Sequence, residues 1–217
     1  MTEKLAKPSP GRPKNLTKRA AILKAAQVLF LRLGYEGCSM DAIAQEAGVS
    51  KLTVYNHFTD KEKLFCAAIK AQCDTQLAEF FVTPTVHPPL HLRPTLLALA
   101  HSFQRLVNSP ESIALHRLII SHATTNPELS HLFYEITALR ITHKMEELLR
   151  SIDRTKQLHI PHPRQAAEHF FALLKGARHL QLLIGYPSQS PSEAQTHVEH
   201  VVDLFIRAYQ PNPHQEI

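Results

Sequence analysis

The stretch whose reading decides the fold is Ser39–Phe65, SMDAIAQEAGVSKLTVYNHFTDKEKLF. Ser39 offers a side-chain oxygen to the first turn of a short helix, Met40 to Ala47, in which Ile43 and Ala47 face inward. Gly48 supplies the left-handed backbone that a tight interhelical turn needs, and Val49 packs beneath it. Ser50 caps a second short helix, Lys51 to Phe58. Thr59 begins another, with Glu62 three residues on in capping-box spacing. Two short helices joined by a glycine turn make a helix-turn-helix, whose second helix fits the DNA major groove.

The second helix has the side chains for that task. Val54 and Phe58 lie four apart and turn one face to the core. Lys51, Thr53, Tyr55, Asn56 and His57 are left for the other faces, a dense set of donors for phosphate oxygens and base edges. Lys61 opens the next helix, where a cation opposes the helix dipole, so phosphate contact is the better reason for it.

Outward from this core, proline marks the limits of the helices, because it lacks an N–H donor and clashes with the preceding turn. None occurs between Lys14 and Thr83. Within that block Ile22, Ala26, Leu29 and Leu33 recur at helical spacing, with Thr17 as N-cap and Gly34 as the stop. Pro84, Pro88, Pro89 and Pro94 mark a loop between modules. The later prolines divide the remainder into helical segments Leu96–Val107, Glu111–Ala123, Glu128–Ile152, Arg164–Ile184 and Ser192–Tyr209. In the last, Val198, Val201, Val202, Phe205 and Tyr209 make one apolar stripe. No alternating strand pattern or fixed-period repeat appears. The expectation is an all-α chain of about nine helices.

Composition agrees. At 44% hydrophobic and 20% charged the chain can bury a core, which excludes a disordered one, and six glycines with no tryptophan favour helices over turn-rich sheets. Residues 1–65 hold 11 Lys/Arg against 6 Asp/Glu, while the remainder is balanced at 13 each, so the whole excess of +5 sits in the first third. A basic module on a neutral body suggests that one part meets a polyanion, although a solvated surface with chance asymmetry gives the same count. No apolar run approaches the ~20 residues of a membrane span. The polar, Lys- and Pro-rich start lacks a signal peptide's apolar region, and three cysteines without CxxC spacing argue against disulfides or zinc. A cytoplasmic protein is expected.

Taken together, AIAQEAGVSKLTVYNHFTDKEKLF following KRAAILKAAQVLFLRLGYEGCSM resembles the N-terminal domain of TetR/AcrR-type transcriptional repressors over about residues 15–66. The resemblance implies that Thr53, Tyr55, Asn56, His57 and Lys61 contact DNA, that Ser50 and Lys51 enter or border the groove, and that Thr17 and Ser39 meet phosphates. Leu52 stands where such proteins often carry a small residue, and its side chain is suited to a thymine methyl. More faintly, Glu111–Ala123, Pro127–Tyr134 and Ala166–Gly185 resemble the effector-binding domain of the AefR-like branch. That implies a helical pocket domain which dimerises through its last two long helices.

The remaining signals each have two readings. Gly11-Arg12-Pro13-Lys14 is either a minor-groove arm or a solubilising tail. Fourteen of 15 histidines lie outside the helix-turn-helix, but neither His197/His200 nor His87/His91 makes a closed metal set, so no metal and no cofactor are expected. Cys66 and Cys73, seven apart, read as buried hydrophobes before they read as a redox pair beside Lys70. With no phosphate-binding glycine loop, nucleophile elbow or HExxH, an enzyme is not expected; His143 before Glu146/Glu147 is an ordinary helix face. Phe103, His116, Ile120, Phe133, Tyr134, Thr137, Phe171 and His179 are candidates to line an apolar ligand cavity, each equally open to plain core packing. Ala172, Gly176 and Ala177 suit close helix approach in a dimer interface.

The expected organisation is a basic arm (1–14), a DNA-binding domain (15–66), a ligand-binding and dimerisation domain (67–210) and a tail (211–217). The expected function is a homodimeric repressor on a palindromic double-stranded DNA operator, released by a small apolar or amphipathic effector. The rival reading is a metal- or redox-sensing DNA-binding regulator without an organic effector.

Overall fold

The computed structural model describes residues 12–81, 91–186 and 190–211. Among these the chain is all-α, in nine helices: α1 (Arg12–Gly37), α2 (Met40–Glu46), α3 (Lys51–His57), α4 (Lys61–Phe81), α5 (Leu92–Val107), α6 (Pro110–His122), α7, α8 (Pro163–Ile184) and α9 (Pro191–Ala208). Helix α7 is continuous through Pro127–Tyr134, a π-helical turn at Glu135–Leu139, and Arg140–Arg154. The expected arm as far as Gly11, the prolines 84, 88 and 89, Pro187, and the tail beyond Pro211 lie outside the described residues. No described helix is long and apolar enough to cross a membrane.

The chain divides into two compact units meeting at Gln72/Cys73, within α4. In the first, Ile22, Ala26, Leu29 and Phe30 of α1 are buried with Ile43, Val54, Phe58, Leu64 and Phe65. Gln27 Nε2 donates to the Ala68 carbonyl at 3.2 Å and ties α1 to α4. Two local expectations are corrected. Helix α1 starts at Arg12, not after Thr17, because Pro13 fits the first turn with its φ already helical; Arg12–Lys14 are therefore helical backbone, and Thr17 lies in the second turn. The N-cap of α4 is Asp60 rather than Thr59: its Oδ1 accepts from the Lys63 N–H at 2.8 Å, which holds the carboxyl below its ordinary pKa. The expected stop at Gly34 is a break in helical dihedrals at φ 74°.

In the second unit the prolines mark helix starts. Pro110, Pro127, Pro163 and Pro191 all stand in a first turn. Ser109, Asn126 and Ser190 cap from the preceding position, Ser190 in a full capping box with Glu193. Pro94 likewise falls inside the first turn of α5, which begins four residues before the expected Leu96. The core is built on Phe103–Phe171 (ring centroids 4.5 Å apart) and Phe170–Phe205 (5.0 Å), between α5, α8 and α9. A bidentate Arg93–Asp203 pair (2.7 and 3.1 Å) clips α5 to α9 at the surface.

Helix α8 is broken in its middle. Gly176 has φ 50° and ψ −161°, a conformation almost confined to glycine. A helix break frees carbonyls of the turn before it. Here His197 Nε2–H donates to the Leu173 and Leu174 carbonyls at 3.0 and 3.2 Å, and Gln104 Nε2 also donates to Leu174. The three small residues expected at a dimer interface, Ala172, Gly176 and Ala177, are all exposed; Gly176 also faces His197 of α9, and Ala172 also borders a cavity.

Candidate nucleic-acid interface and effector cavity

Helix α3 is a short rod on an apolar foot. Val54 is wholly buried and Phe58 nearly so, and the Arg19 guanidinium lies 5.2 Å over the Phe58 ring. Every other side chain of α3 is exposed or half-buried. Leu52, 69% exposed, is among the most exposed large apolar groups described. Tyr55 and Asn56 stand in solvent, and the Asn56 side chain makes no hydrogen bond among the described residues. His57 is half-buried against Phe58.

Several predicted contact residues also hold the motif together. Ser39 Oγ accepts from the Ala42 N–H (3.1 Å) and Ser50 Oγ from the Thr53 N–H (3.2 Å), with Thr53 Oγ1 2.8 Å from Ser50 Oγ. Both serines stand at helix N-termini, where exposed N–H groups and the dipole favour a phosphate. Thr17, in the second turn of α1, does not. Lys51 pairs with Asp41 of α2 at 2.8 Å across an exposed face, an attachment phosphate can replace cheaply. Lys61 lies 4.2 Å over the Tyr35 ring, which leans on Phe65. Arg19 and Tyr35 as supports were not foreseen. Tyr35 had a signal in the Gly34-Tyr35 pair, which stands at the break in α1; Arg19 had none.

The second unit contains a cavity of about 390 Å³, lined by parts of α4 to α8. Six of the eight predicted pocket residues line it together: Phe103, His116, Phe133, Tyr134, Thr137 and Phe171. Two do not. Ile120 is 61% exposed on the outside of α6, because helical spacing cannot tell which turn of a short helix faces inward. His179 is buried one ring deeper, edge-on to His116 at 5.2 Å.

A polar chain stands behind the wall. His116 Nδ1–H donates to the Ser112 carbonyl at 2.7 Å, its ring edge-on to Phe133. His179 Nδ1–H donates to Asn108 Oδ1 at 3.1 Å, Asn108 Nδ2 to Gln104 Oε1, and Gln104 to the Leu174 carbonyl beside the Gly176 break. Burial, His116 and Lys175 push His179 down to about 4, and burial likewise lowers His116. Both imidazoles are neutral in the folded protein at pH 7, whereas in the unfolded chain they titrate near 6.5. Stability should therefore be whole above pH 6.5 and fall toward pH 4, by up to about 1.4 kcal/mol per pH unit for each proton bound only by the unfolded chain. Urea unfolding at pH 7 and pH 5 measures this. A His179→Asn variant should lose part of the pH slope, and an unaltered slope rejects the assignment.

Lys175 was not foreseen at the cavity, since a lysine on a helix reads as surface. It is the one cationic side chain among the described lining residues. Among the described residues no cluster of His, Cys, Asp or Glu could hold a metal. His197 is engaged with α8, His143 reaches Glu147 at 3.4 Å, Cys73 is buried in the cavity wall, and His87 lies outside the described residues.

Comparison with known proteins places these features. The profile of bacterial regulatory proteins of the tetR family matches residues 22–68. That of the AefR-like transcriptional repressor C-terminal domain matches residues 94–211. The chain is 40% identical over 57 residues to the HTH-type transcriptional activator FasR of Mycolicibacterium smegmatis, covering 26% of each protein. It is 39% identical over 61 residues to the HTH-type transcriptional regulator RutR of Escherichia coli, covering 28% of this chain and 29% of RutR. The match thus spans little more than a quarter of these curated relatives. A solved structure assigned to the TetR family of transcriptional regulators, from Mesorhizobium loti, superposes with TM-score 0.85 at 28% identity over 92% of this chain and all of that one. The Flavonoid-responsive Regulator FrrA gives 0.77 at 29% identity, over 90% and 98%. The matched families are transcriptional regulators, not enzymes.

Proposed function

The chain belongs to the TetR family of bacterial transcriptional regulators, with an AefR-like C-terminal domain, and from that membership we propose that it is a homodimeric repressor released from a palindromic operator by a small amphipathic effector. Residues 15–66 are the DNA-binding domain and 67–210 the effector-binding and dimerisation domain. The observation that carries the DNA reading is α3: an exposed polar helix on a buried foot of Val54 and Phe58. Rigid support lets Thr53 and Asn56 present donors and acceptors to base edges, while Tyr55, His57, Lys51, Lys61, Ser39 and Ser50 take phosphates.

Leu173, Leu180 and Ile184 of α8 and Leu204 of α9 support dimerisation. They stay exposed on the last two helices, Leu180 and Ile184 four apart on one face of α8 beyond the Gly176 break. A second copy about a two-fold axis would cover this stripe and set two recognition helices one DNA turn apart. The cavity supports the effector reading, and the nearby relative responsive to a flavonoid favours an aromatic, amphipathic ligand. An effector must prefer one dimer state over the other, by a coupling typically ~1–3 kcal/mol. The Gly176 break, beside the cavity and braced from α5 and α9, is the element it would bias.

The test is operator binding measured against salt, using a sequence selected from random DNA. Lys61→Ala should weaken binding to every sequence and lower the salt slope by about one unit. Tyr55→Ala should weaken binding without regard to sequence. Thr53→Ala or Asn56→Ala should instead change the selected motif. An unchanged slope for Lys61→Ala, or the parental motif recovered with both α3 variants, removes those residues from the interface.

A further inference from the structure

Lys175 is the charge in the cavity that nothing answers. It is mostly withdrawn from water, and among the described residues it makes neither a hydrogen bond nor an ion pair. Among the described lining residues the one carboxylate, Glu168, is held by Arg164, whose Nε stands 2.8 Å from its Oε1. The other groups near the ammonium, His116 and His179, are neutral and commit their Nδ1–H groups to Ser112 and Asn108. Burial lowers the lysine pKa with no acid to oppose it. A buried cation without a counter-charge is costly to a fold and of no use to packing, because methionine would fill the same space. The rings of Phe103, Phe133 and Phe171 line the same cavity.

We propose that the effector is an aromatic acid whose ionised group pairs with Lys175 while its apolar body fills the space between Phe103, Phe133 and Phe171. The proposal rests on the effector reading above and adds to it the ligand's charge and its anchor. A cavity of this size suits a body of two rings. A charge-assisted hydrogen bond in an apolar surround favours the acid over a neutral isostere by about tenfold or more.

The experiment is calorimetric titration of the full chain with biphenyl-4-carboxylate and, separately, biphenyl-4-carboxamide, which has the same shape and no charge. The wild type should bind the carboxylate about tenfold or more tightly than the amide. Lys175→Met should bring the two within about twofold while still binding the amide; Lys175→Arg, which keeps the charge, should keep the preference and guards against misfolding of the methionine variant. Equal binding of both probes by the wild type overturns the proposal, as does a preference that survives in Lys175→Met, or no binding of either probe. Operator release by each probe separates the two readings. Release by the amide as effectively as by the acid refutes the acid anchor and leaves the effector reading intact. A carboxylate that binds through Lys175 but leaves the operator complex whole does the reverse.

Discussion

Replacing Leu180 and Ile184 together by glutamate should leave a folded monomer that binds a full operator about 10²–10⁴-fold more weakly than the wild type. The two side chains are 60% and 69% exposed on one face of α8, so the substitution disturbs no packing within a single chain. In a two-fold interface the glutamates would face the same patch of the second copy, and four carboxylates would be withdrawn from water together. Without the partner, the second half-site no longer benefits from the high effective concentration that the first provides. Affinity for an isolated half-site should be unchanged, which distinguishes lost dimerisation from damage to α3. Sedimentation reads the oligomeric state directly. A variant that still sediments as the dimer would show that this stripe is not the interface.

Gly176→Ala should lower stability by about 1–3 kcal/mol from backbone strain alone, or several degrees in Tm for a chain of this length. An added Cβ also meets His197 Cε1 and Nε2, both at 3.3 Å, and the imidazole that must yield is the one donating to the Leu173 and Leu174 carbonyls. The imidazole's retreat would leave those acceptors weakly satisfied. Thermal unfolding of Gly176→Ala, His197→Ala and the double variant separates the contributions. The double variant should recover the steric part and keep the strain. Full wild-type stability in Gly176→Ala would mean that α8 closes into a regular helix without penalty, and the break would lose its place in effector coupling.

The helix-turn-helix was readable from sequence because its determinants are local. Ser39, Gly48 and Ser50 act within four residues of themselves, and Val54 and Phe58 declare a buried face by spacing alone. The same locality explains the errors. Thr17 and Thr59 are good caps in isolation, but Pro13 starts α1 earlier and Asp60, one residue on, gives the Lys63 N–H a charged acceptor. Pro110, Pro127, Pro163 and Pro191 mark helix starts by the same local rule, because a missing N–H matters least in a first turn; Pro94, expected in a loop, stands in a first turn as well.

The cavity divides along the same line. Aromatic and polar residues at helical spacing pointed to Phe103, His116, Phe133, Tyr134, Thr137 and Phe171, which the fold brings to one space. Nothing local distinguishes Ile120, turned to solvent, from its buried neighbour Ile119. Lys175 illustrates the limit most clearly: only the closure of α4 to α8 around it removes it from water and leaves it without an anion.

What the amino-acid order determined by itself was the all-α class, the helix-turn-helix and the chemistry of its exposed face, because caps, turns and amphipathic spacing act over a few residues. What only tertiary structure decided was which lysine becomes an uncompensated charge, which histidines stay neutral, and where α8 must break. Desolvation and close approach belong to the whole packed unit, and groups as distant in sequence as Gln104, Leu174 and His197 set them together.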